Sequence, residues 1–190
     1  MAAFTSKASG NWTSAGQTTW NKVGVPGAGD TVSIATGHAV TLDQTVPESV
    51  TCTSITVAGT GTLVIPAATA FTINADVTYS GTATTGCIVV GTGQGITING
   101  QLTASGTGYG IVPSGSANIT ITKAAGTAIS VTSSGRGING ATTGTITITG
   151  NVSESATGFG IALTGSAGGT CTVTGNVSVT GLGCGIYAAG

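Results

Sequence analysis

The chain offers few side chains that could perform acid–base or nucleophilic chemistry. It contains five acidic residues, one histidine and four cysteines among 190 residues. Asp76 and Glu154 occupy similar positions in a sequence repeat, but three repeats separate them, which corresponds to about 14 Å if each repeat forms a stacked coil about 4.8 Å high. Glycoside hydrolysis needs two carboxylates about 5–9.5 Å apart. The spacing therefore predicts no glycosidase pair.

The other ionisable groups form no evident catalytic arrangement. Asp30 lies in a GAGD turn, where aspartate commonly accepts backbone hydrogen bonds, and Asp43 and Glu48 lie in the same N-terminal region. The single histidine, His38, precedes by two residues a valine that we expect to point inward, so we assign it a structural role. The sequence has neither a GxSxG motif nor a Cys/His pair in an evident relation. We therefore predict that the chain is not an enzyme.

The cysteines do not indicate a metal site. Cys52, Cys87, Cys171 and Cys184 form no CxxC pair and no cluster with the histidine. Zinc sites need such clusters, and a Ca²⁺ site needs several converging oxygen ligands. We expect four free, buried thiols, with a Cys171–Cys184 disulfide as the alternative, and no metal or other cofactor.

Two local features stand out from the repeat. Glu154 lies seven residues before an isoleucine that recurs in each repeat; we expect its strand to be turning there so that the carboxylate reaches solvent, the alternative being an inward, desolvated group. A column of Tyr109, Arg136, Phe159 and Cys184 lies two residues before the same isoleucines. An arginine between two aromatic rings on neighbouring coils predicts a cation–π stack, which on an outer face would also suit a partner.

The elements that position these residues are repeated β-strands. FTIN, ITIN, ITIT, ITIT and CTVT begin at residues 71, 96, 119, 146 and 171, so successive starts differ by 25, 23, 27 and 25. Two further ladders run in parallel. They contain Ile88, Ile111, Ile138, Ile161 and Ile186, and Leu102, Ile129, Val152 and Val177. Three β-prone stretches per roughly 25 residues, separated by glycine-rich corners, are typical of a parallel β-solenoid.

Alternation within each stretch predicts which side chains are buried. In ITIT, Ile119 and Ile121 point inward and the threonines point outward. One coil cannot bury its own apolar row, but stacked coils bury one another's, and each buried Ile or Val contributes about 1.5–3 kcal/mol. The predicted fold is all-β: a right-handed parallel β-helix with three strands per coil, its handedness following the general crossover rule.

The composition excludes several classes of partner. Only 5 % of the residues are charged, the formal net charge is −1, and 39 % are hydrophobic. Because no basic patch is present to neutralise phosphates, we predict no nucleic-acid binding. No apolar run reaches the roughly 18 residues of a membrane span, and the start, MAAFTSKASGNW, lacks the apolar core of a secretory signal. We therefore expect no membrane partner and production in the cytosol.

The N-terminal region resembles a known type. Gly10-Asn11-Trp12, Trp20-Asn21 and the run VPGAGDTVSIATGHAVTLD are similar to the opening module of glycine-rich, pectin-lyase-like parallel β-helix proteins, including G8-type modules. The resemblance covers about residues 10–75 and implies proteins of bacterial surfaces or bacteriophage virions. It implies that Trp12 and Trp20 cap the end of the apolar stack, with a sugar-binding platform as the alternative.

These patterns divide the chain into three parts. We assign residues 1–25 to an N-terminal arm and opening segment, 26–70 to irregular first coils that form an N-terminal cap, and 71–190 to regular β-helix coils. The last coil stops at GCGIYAAG without a capping helix. Because an open solenoid end exposes apolar side chains and strand edges, we expect it to be covered by a partner, by identical copies or by a continuation of the chain.

One outward face is rich in small polar residues. Its predicted files contain Thr72, Thr97, Thr120, Thr122, Thr147, Thr149, Thr172 and Thr174. Such a flat, uncharged face resembles that of solenoidal ice-binding proteins, although threonine also favours strands and stacks along ladders without any ligand.

The leading functional prediction is a non-enzymatic structural protein on the exterior of a bacteriophage particle, either a capsid decoration protein or a short fibre or spike. Its expected partners are itself, as a homotrimer or higher assembly, other virion proteins and a host-surface glycan. The first alternative is an ice-binding solenoid, and the second is a carbohydrate-binding adhesin or a fragment of a polysaccharide depolymerase; these alternatives imply an extracellular location. The candidate partner-binding residues are Trp12, Trp20, Tyr109, Arg136 and Phe159.

Overall fold

The computed structural model of the chain describes residues 1–43, 49–65, 70–164 and 168–189, so Glu48 lies outside the described residues. The regular structure in these ranges consists of eighteen β-strands in two sheets, without a helix. None of the described residues therefore belongs to a helix that could cross a membrane. The all-β prediction is confirmed.

The strands alternate between the two sheets along the chain. The first, ten-stranded sheet contains β1 (Ala3–Thr5), β3 (Thr31–Ile34), β5 (Ser49–Val57), β7 (Ala70–Tyr79), β9 (Gly95–Asn99), β10 (Leu102–Ala104), β12 (Asn118–Val131), β14 (Thr145–Glu154), β16 (Thr170–Thr174) and β17 (Val177–Val179). The second, eight-stranded sheet contains β2 (Gly10–Asn11), β4 (Ala39–Thr41), β6 (Thr62–Val64), β8 (Ile88–Val90), β11 (Tyr109–Pro113), β13 (Arg136–Gly140), β15 (Phe159–Thr164) and β18 (Cys184–Ala189).

Each strand pairs in parallel with the equivalent strand of the next coil, which gives a solenoid of about seven turns. Ile111 pairs with Ile88 on one side and with Ile138 on the other. Ile129 pairs with Leu102 and Val152 in the same way. These residues are fully buried, so the core is the stack of apolar rows between the two sheets. The ladders predicted from the repeat are confirmed.

Regular stacking begins earlier than the sequence indicates. Within residues 26–70, expected to form irregular coils, Val32 of β3 already pairs with Ile55 of β5, and Val40 of β4 pairs with Leu63 of β6. The N-terminal arm also joins the solenoid, because β1 and β2 each form the first strand of one sheet. In the coil of β9, β10 and β11, three separate strands occupy the three strand positions of the coil. β7, β12 and β14 are longer, and each occupies the first two strand positions of its own coil.

Close packing within the strands explains the second glycine of the GxGI motif. A Cβ at Gly137 would lie 2.6 Å from Ile129 Cγ2, and a Cβ at Gly160 would lie 2.5 Å from Val152 Cγ1. The second glycine of the motif therefore faces the interior, where the neighbouring ladder leaves no room for a side chain. Positive φ explains other glycines such as Gly126, in the KAAGT segment (residues 123–127) of β12, where the β12–β14 register shifts.

Candidate functional site

The two tryptophans form the N-terminal end of the core. Trp12 and Trp20 are both fully buried, and their rings meet edge to face with centroids 5.3 Å apart. Phe4 packs on Trp20 in the same geometry at 6.2 Å. Buried rings offer no face to a sugar, so this pair closes the apolar stack instead of forming the platform considered from the sequence.

Three ionisable side chains near this end are engaged in structural hydrogen bonds, whereas Trp12 Nε1 and Thr19 Oγ1 are buried without a partner among the described residues. Asp30 accepts hydrogen bonds from the backbone N–H of Ala2 and Gly27, and these bonds lower the pKa of its carboxyl. Asp43 accepts from the backbone N–H of Thr13 at 2.9 Å. His38 Nδ1 lies 2.9 Å from the hydroxyl of Ser6, in a bond that joins the first coils. Ser6 Oγ is itself buried and accepts a hydrogen bond from the backbone N–H of Ala35 at 2.9 Å, so the Ser6–His38 contact holds loops together.

Glu154 contradicts the expectation that its carboxylate reaches solvent. Its side chain is fully buried, because β14 continues through this position and pairs it with Val131 and Val179 in the neighbouring coils. Oε1 accepts hydrogen bonds from the backbone N–H of Ala156 and Gly158, at 2.6 and 3.2 Å, whereas Oε2 has no partner. The carboxylate therefore supports the backbone of a corner, and no second acid lies beside it in the described coils.

Asp76 is engaged with a lysine two coils away. Lys123 Nζ lies 2.7 Å from Asp76 Oδ1, and Asp76 also accepts a hydrogen bond from the backbone N–H of Gln101. Lys123 begins the KAAGT segment (residues 123–127), within which the β12–β14 register shifts. The described residues contain no group of three or more His, Cys, Asp or Glu side chains that could hold a metal ion.

The predicted column of arginine and aromatic residues forms on the outer side of the second sheet. Arg136 pairs in register with Tyr109 and Phe159, and its guanidinium carbon lies 5.2 and 4.8 Å from the two ring centroids. A hydrogen bond from Nη1 to Asn139 Oδ1 fixes the guanidinium further. Phe159 also contacts Tyr187 of the next coil at 5.5 Å. Tyr109, Arg136 and Phe159 are all half-buried, so the column is accessible from solvent.

The threonine face also forms in register. Thr120 pairs with Thr97 and Thr147, and Thr122 with Thr149. Thr72, Thr172 and Thr174 continue the two files in the outer coils. Asn99 donates a hydrogen bond to Asn74 at 2.8 Å, so part of this face is already held by side-chain bonds between coils.

Comparison with known proteins places the chain in a family. Residues 19–158 match the G8 domain family. The chain is a member of this family. No curated protein and no solved structure matches it.

The G8 match covers more of the chain than the opening module expected over residues 10–75. It includes Trp20, the Tyr109–Arg136 pair and the regular coils through β14, so the G8 domain comprises most of the solenoid. A shared fold does not define an activity, because solenoids of this kind carry unrelated functions.

The coil beyond the G8 match exposes much of its apolar surface. Leu182 is 92 % exposed, and Val177, Val179, Ile186 and Tyr187 are also exposed. The equivalent residues of earlier coils, such as Val152 and Ile161, are fully buried by the coil that follows them.

A second exposed apolar set was not identified from the sequence. Val64 and Val89 lie on the outer side of the second sheet, where they are 39 % and 47 % exposed. The signal was available: in Ile88-Val89-Val90, strict alternation places the middle residue outward whenever its neighbours are buried.

Proposed function

We propose that this G8-domain protein is a non-enzymatic structural solenoid on the exterior of a bacteriophage particle, as a capsid decoration protein or a short fibre or spike. In this proposal it associates with copies of itself, as a homotrimer or higher assembly, and with other virion proteins. The observation that carries the proposal is the regular stack of parallel coils, which forms a rod with few charged side chains.

Two further features support a structural role. The described acids bond the backbone or a lysine instead of converging on a cleft. Val177, Leu182 and Ile186 are exposed, and an association that covers them gains about 25 cal/mol for each Å² removed from water. The resemblance of the N-terminal region to pectin-lyase-like β-helices of virions supports the phage setting.

Light scattering coupled to size-exclusion chromatography, with electron microscopy of the same sample, tests the assembly. We expect a trimer or a filament. The double variant Val177→Thr/Leu182→Ser should shift the distribution towards monomer, because it removes apolar contact area. Val23→Ser is the matched control, since Val23 is 75 % exposed in the N-terminal region. A wild-type protein that stays monomeric at all concentrations would overturn the assembly.

The location on a particle needs a separate test. An antibody against the purified protein, visualised with gold particles, should label the outside of phage particles from the source of the sequence. Label found only on bacterial cells would overturn the phage setting and leave the assembly prediction intact.

The threonine face supports a second candidate function, ice binding. Thr97, Thr120 and Thr147 pair in strict register in three successive coils and stay partly exposed. Thermal hysteresis at micromolar protein concentration, lost in Thr120→Lys and kept in Lys123→Gln, would establish this function. Wild-type protein without hysteresis would exclude it.

A further inference from the structure

An apolar stripe with one arginine at its end lies on the outer side of the second sheet. The stripe consists of Val64, Val89 and Val112, which pair in successive coils. Ile138 pairs with Ile111, so the next residue, Asn139, lies beside Val112 and continues the file of valines into the next coil. Asn139 accepts the hydrogen bond from Arg136. The valines, Arg136 and its two flanking rings therefore form one continuous surface, which we call the valine–arginine face.

The charge of Arg136 has no counter-ion among the described residues. The one ion pair in that part of the chain joins Lys123 to Asp76. Asp30 and Asp43 accept hydrogen bonds at the N-terminal end, and Glu154 points into the core. Arg136 is nevertheless held in place by two rings and Asn139, so little side-chain entropy is lost when a ligand binds to it. The guanidinium is therefore a preorganised site for a carboxylate.

The chemistry of the face favours a protein partner over a sugar. Arg136 covers one face of each flanking ring, so the rings support the guanidinium. The valines offer no hydrogen-bonding group to sugar hydroxyls, whereas they suit aliphatic side chains of a polypeptide.

The size of the face and its charge argue against a second copy of the chain. From Val64 to Phe159 the face spans four coil steps, about 19 Å at about 4.8 Å per step. With a width of about 10 Å its area is a few hundred Å², less than the roughly 800 Å² per partner of a standard interface. Symmetric pairing of two copies would also bring two Arg136 guanidiniums together without a counter-ion.

We propose that the valine–arginine face binds an extended segment of a partner protein, in which apolar side chains cover the valines and a carboxylate pairs with Arg136. At about 3.3 Å per residue, six residues span the face. This interaction uses a different surface from the assembly through the last coil, so either can fail without the other.

A peptide array with the folded, full-length protein tests the proposal. The array carries nonapeptides with a fixed central Asp or Glu among Val, Leu, Ile and Thr, and matched peptides with central Asn or Gln. We expect wild-type protein to bind the acidic set about ten-fold more tightly than the amide set, because a charged partner strengthens the hydrogen bond. Arg136→Gln should abolish this preference, and Arg136→Lys should keep part of it.

Two controls make the outcome decisive. Lys123→Gln removes a cation on another face and should leave the preference unchanged. Val89→Asp should weaken binding of the acidic set; it changes an exposed side chain, so it tests the face even if Arg136→Gln does not fold. Equal binding of both peptide sets, a preference that persists in Arg136→Gln, binding of polygalacturonate in place of peptides, or self-association that depends on Arg136 would each overturn the proposal.

Discussion

The indole N–H of Trp20 donates a hydrogen bond to the backbone carbonyl of Trp12 at 2.9 Å. The bond joins two loops of the N-terminal segment, and the backbone N–H of Trp12 donates in turn to Thr41 O of the next coil. The first apolar row of the solenoid is thus covered by two indole rings. A hydrogen bond holds the Trp20 ring, whereas Trp12 Nε1 is buried without a partner in the part of the chain that the structure describes. A solenoid needs such a cover, because its end rows have a neighbouring coil on one side only.

Removing the Trp20 ring should strongly destabilise the protein. We expect Trp20→Ala to lower the free energy of unfolding by about 3–5 kcal/mol, since it leaves a cavity against Trp12 and Phe4. Trp20→Phe keeps a ring but leaves the Trp12 carbonyl without its donor, at a cost of about 1–3 kcal/mol. Urea unfolding measures both changes. Val23→Ala should stay within about 0.5 kcal/mol of wild type; a Trp20→Ala protein as stable as this control would contradict a capping role.

The coils could be predicted from the sequence because each ladder repeats one residue type at one position. The cap could not be distinguished from a sugar platform, because Trp12 and Trp20 occur outside the repeat and their burial depends on loops that have no period. Their fully buried rings are a tertiary result of how β1 and β2 join the two sheets.

Substitutions within one strand test the register. Ile148 is fully buried in β14, whereas the adjacent Thr147 faces outward. Ile148→Asn should cost at least about 3 kcal/mol, because it removes apolar contacts and buries an amide. Thr147→Asn should cost no more than about 0.5 kcal/mol, since it lies on the outer face, where asparagine already occurs in earlier coils. Thermal or urea unfolding distinguishes the two, and equal effects would contradict the register.

Thiol reactivity should separate the cysteines into two classes. All four are free; Cys52 and Cys87 are buried, while Cys171 and Cys184 are partly exposed. Burial raises the pKa of Cys52 to about 12 and that of Cys87 still further, so few thiolates form there. In native protein at pH 8, Ellman's reagent should modify Cys184 first and leave Cys52 and Cys87 unmodified. In denaturant all four should react; reaction of only two would reveal a disulfide.

The Asp76–Lys123 pair should make a small contribution that depends on pH. Burial opposes ionisation of Asp76, but the hydrogen bonds from Lys123 and Gln101 outweigh it and lower the pKa of the carboxyl below its ordinary value of 3.8. The stabilisation is therefore present above the unfolded-state pKa and is lost as the pH falls through the folded-state pKa. Because both side chains are partly exposed, we expect Lys123→Gln to cost only about 0.2–1 kcal/mol at pH 7.

Urea unfolding at several pH values and salt concentrations measures this contribution. The difference between wild type and Lys123→Gln should disappear near about pH 2 and shrink in about 1 M salt. A difference that stays constant from pH 7 to pH 2 would show that Lys123 acts through packing of the KAAGT segment and not through its charge.

Among the candidate residues, the sequence correctly predicted contacts between residues at equivalent positions of the repeat. It did not predict the orientation of Glu154, which lies next to a corner. Arg136 stacks on its neighbours because all three residues share one offset from the isoleucine ladder. Glu154 was expected to reach solvent because its strand was expected to be turning at that position. The structure keeps it inside since two corner N–H groups point at Oε1, a geometry that no sequence offset encodes.

Glu154→Gln should therefore stabilise the protein. The glutamine Oε1 can still accept the hydrogen bonds from Ala156 and Gly158, while an amide is less costly to bury than a carboxylate oxygen that has no partner. We expect the free energy of unfolding at pH 7 to rise by about 1–3 kcal/mol. Glu154→Val, which matches Val131 and Val179 in the same file, removes the acceptor as well and should be less stable than Glu154→Gln. If the valine variant is the more stable one, the corner N–H groups do not need the side chain, and Glu154 is retained for a reason other than the fold.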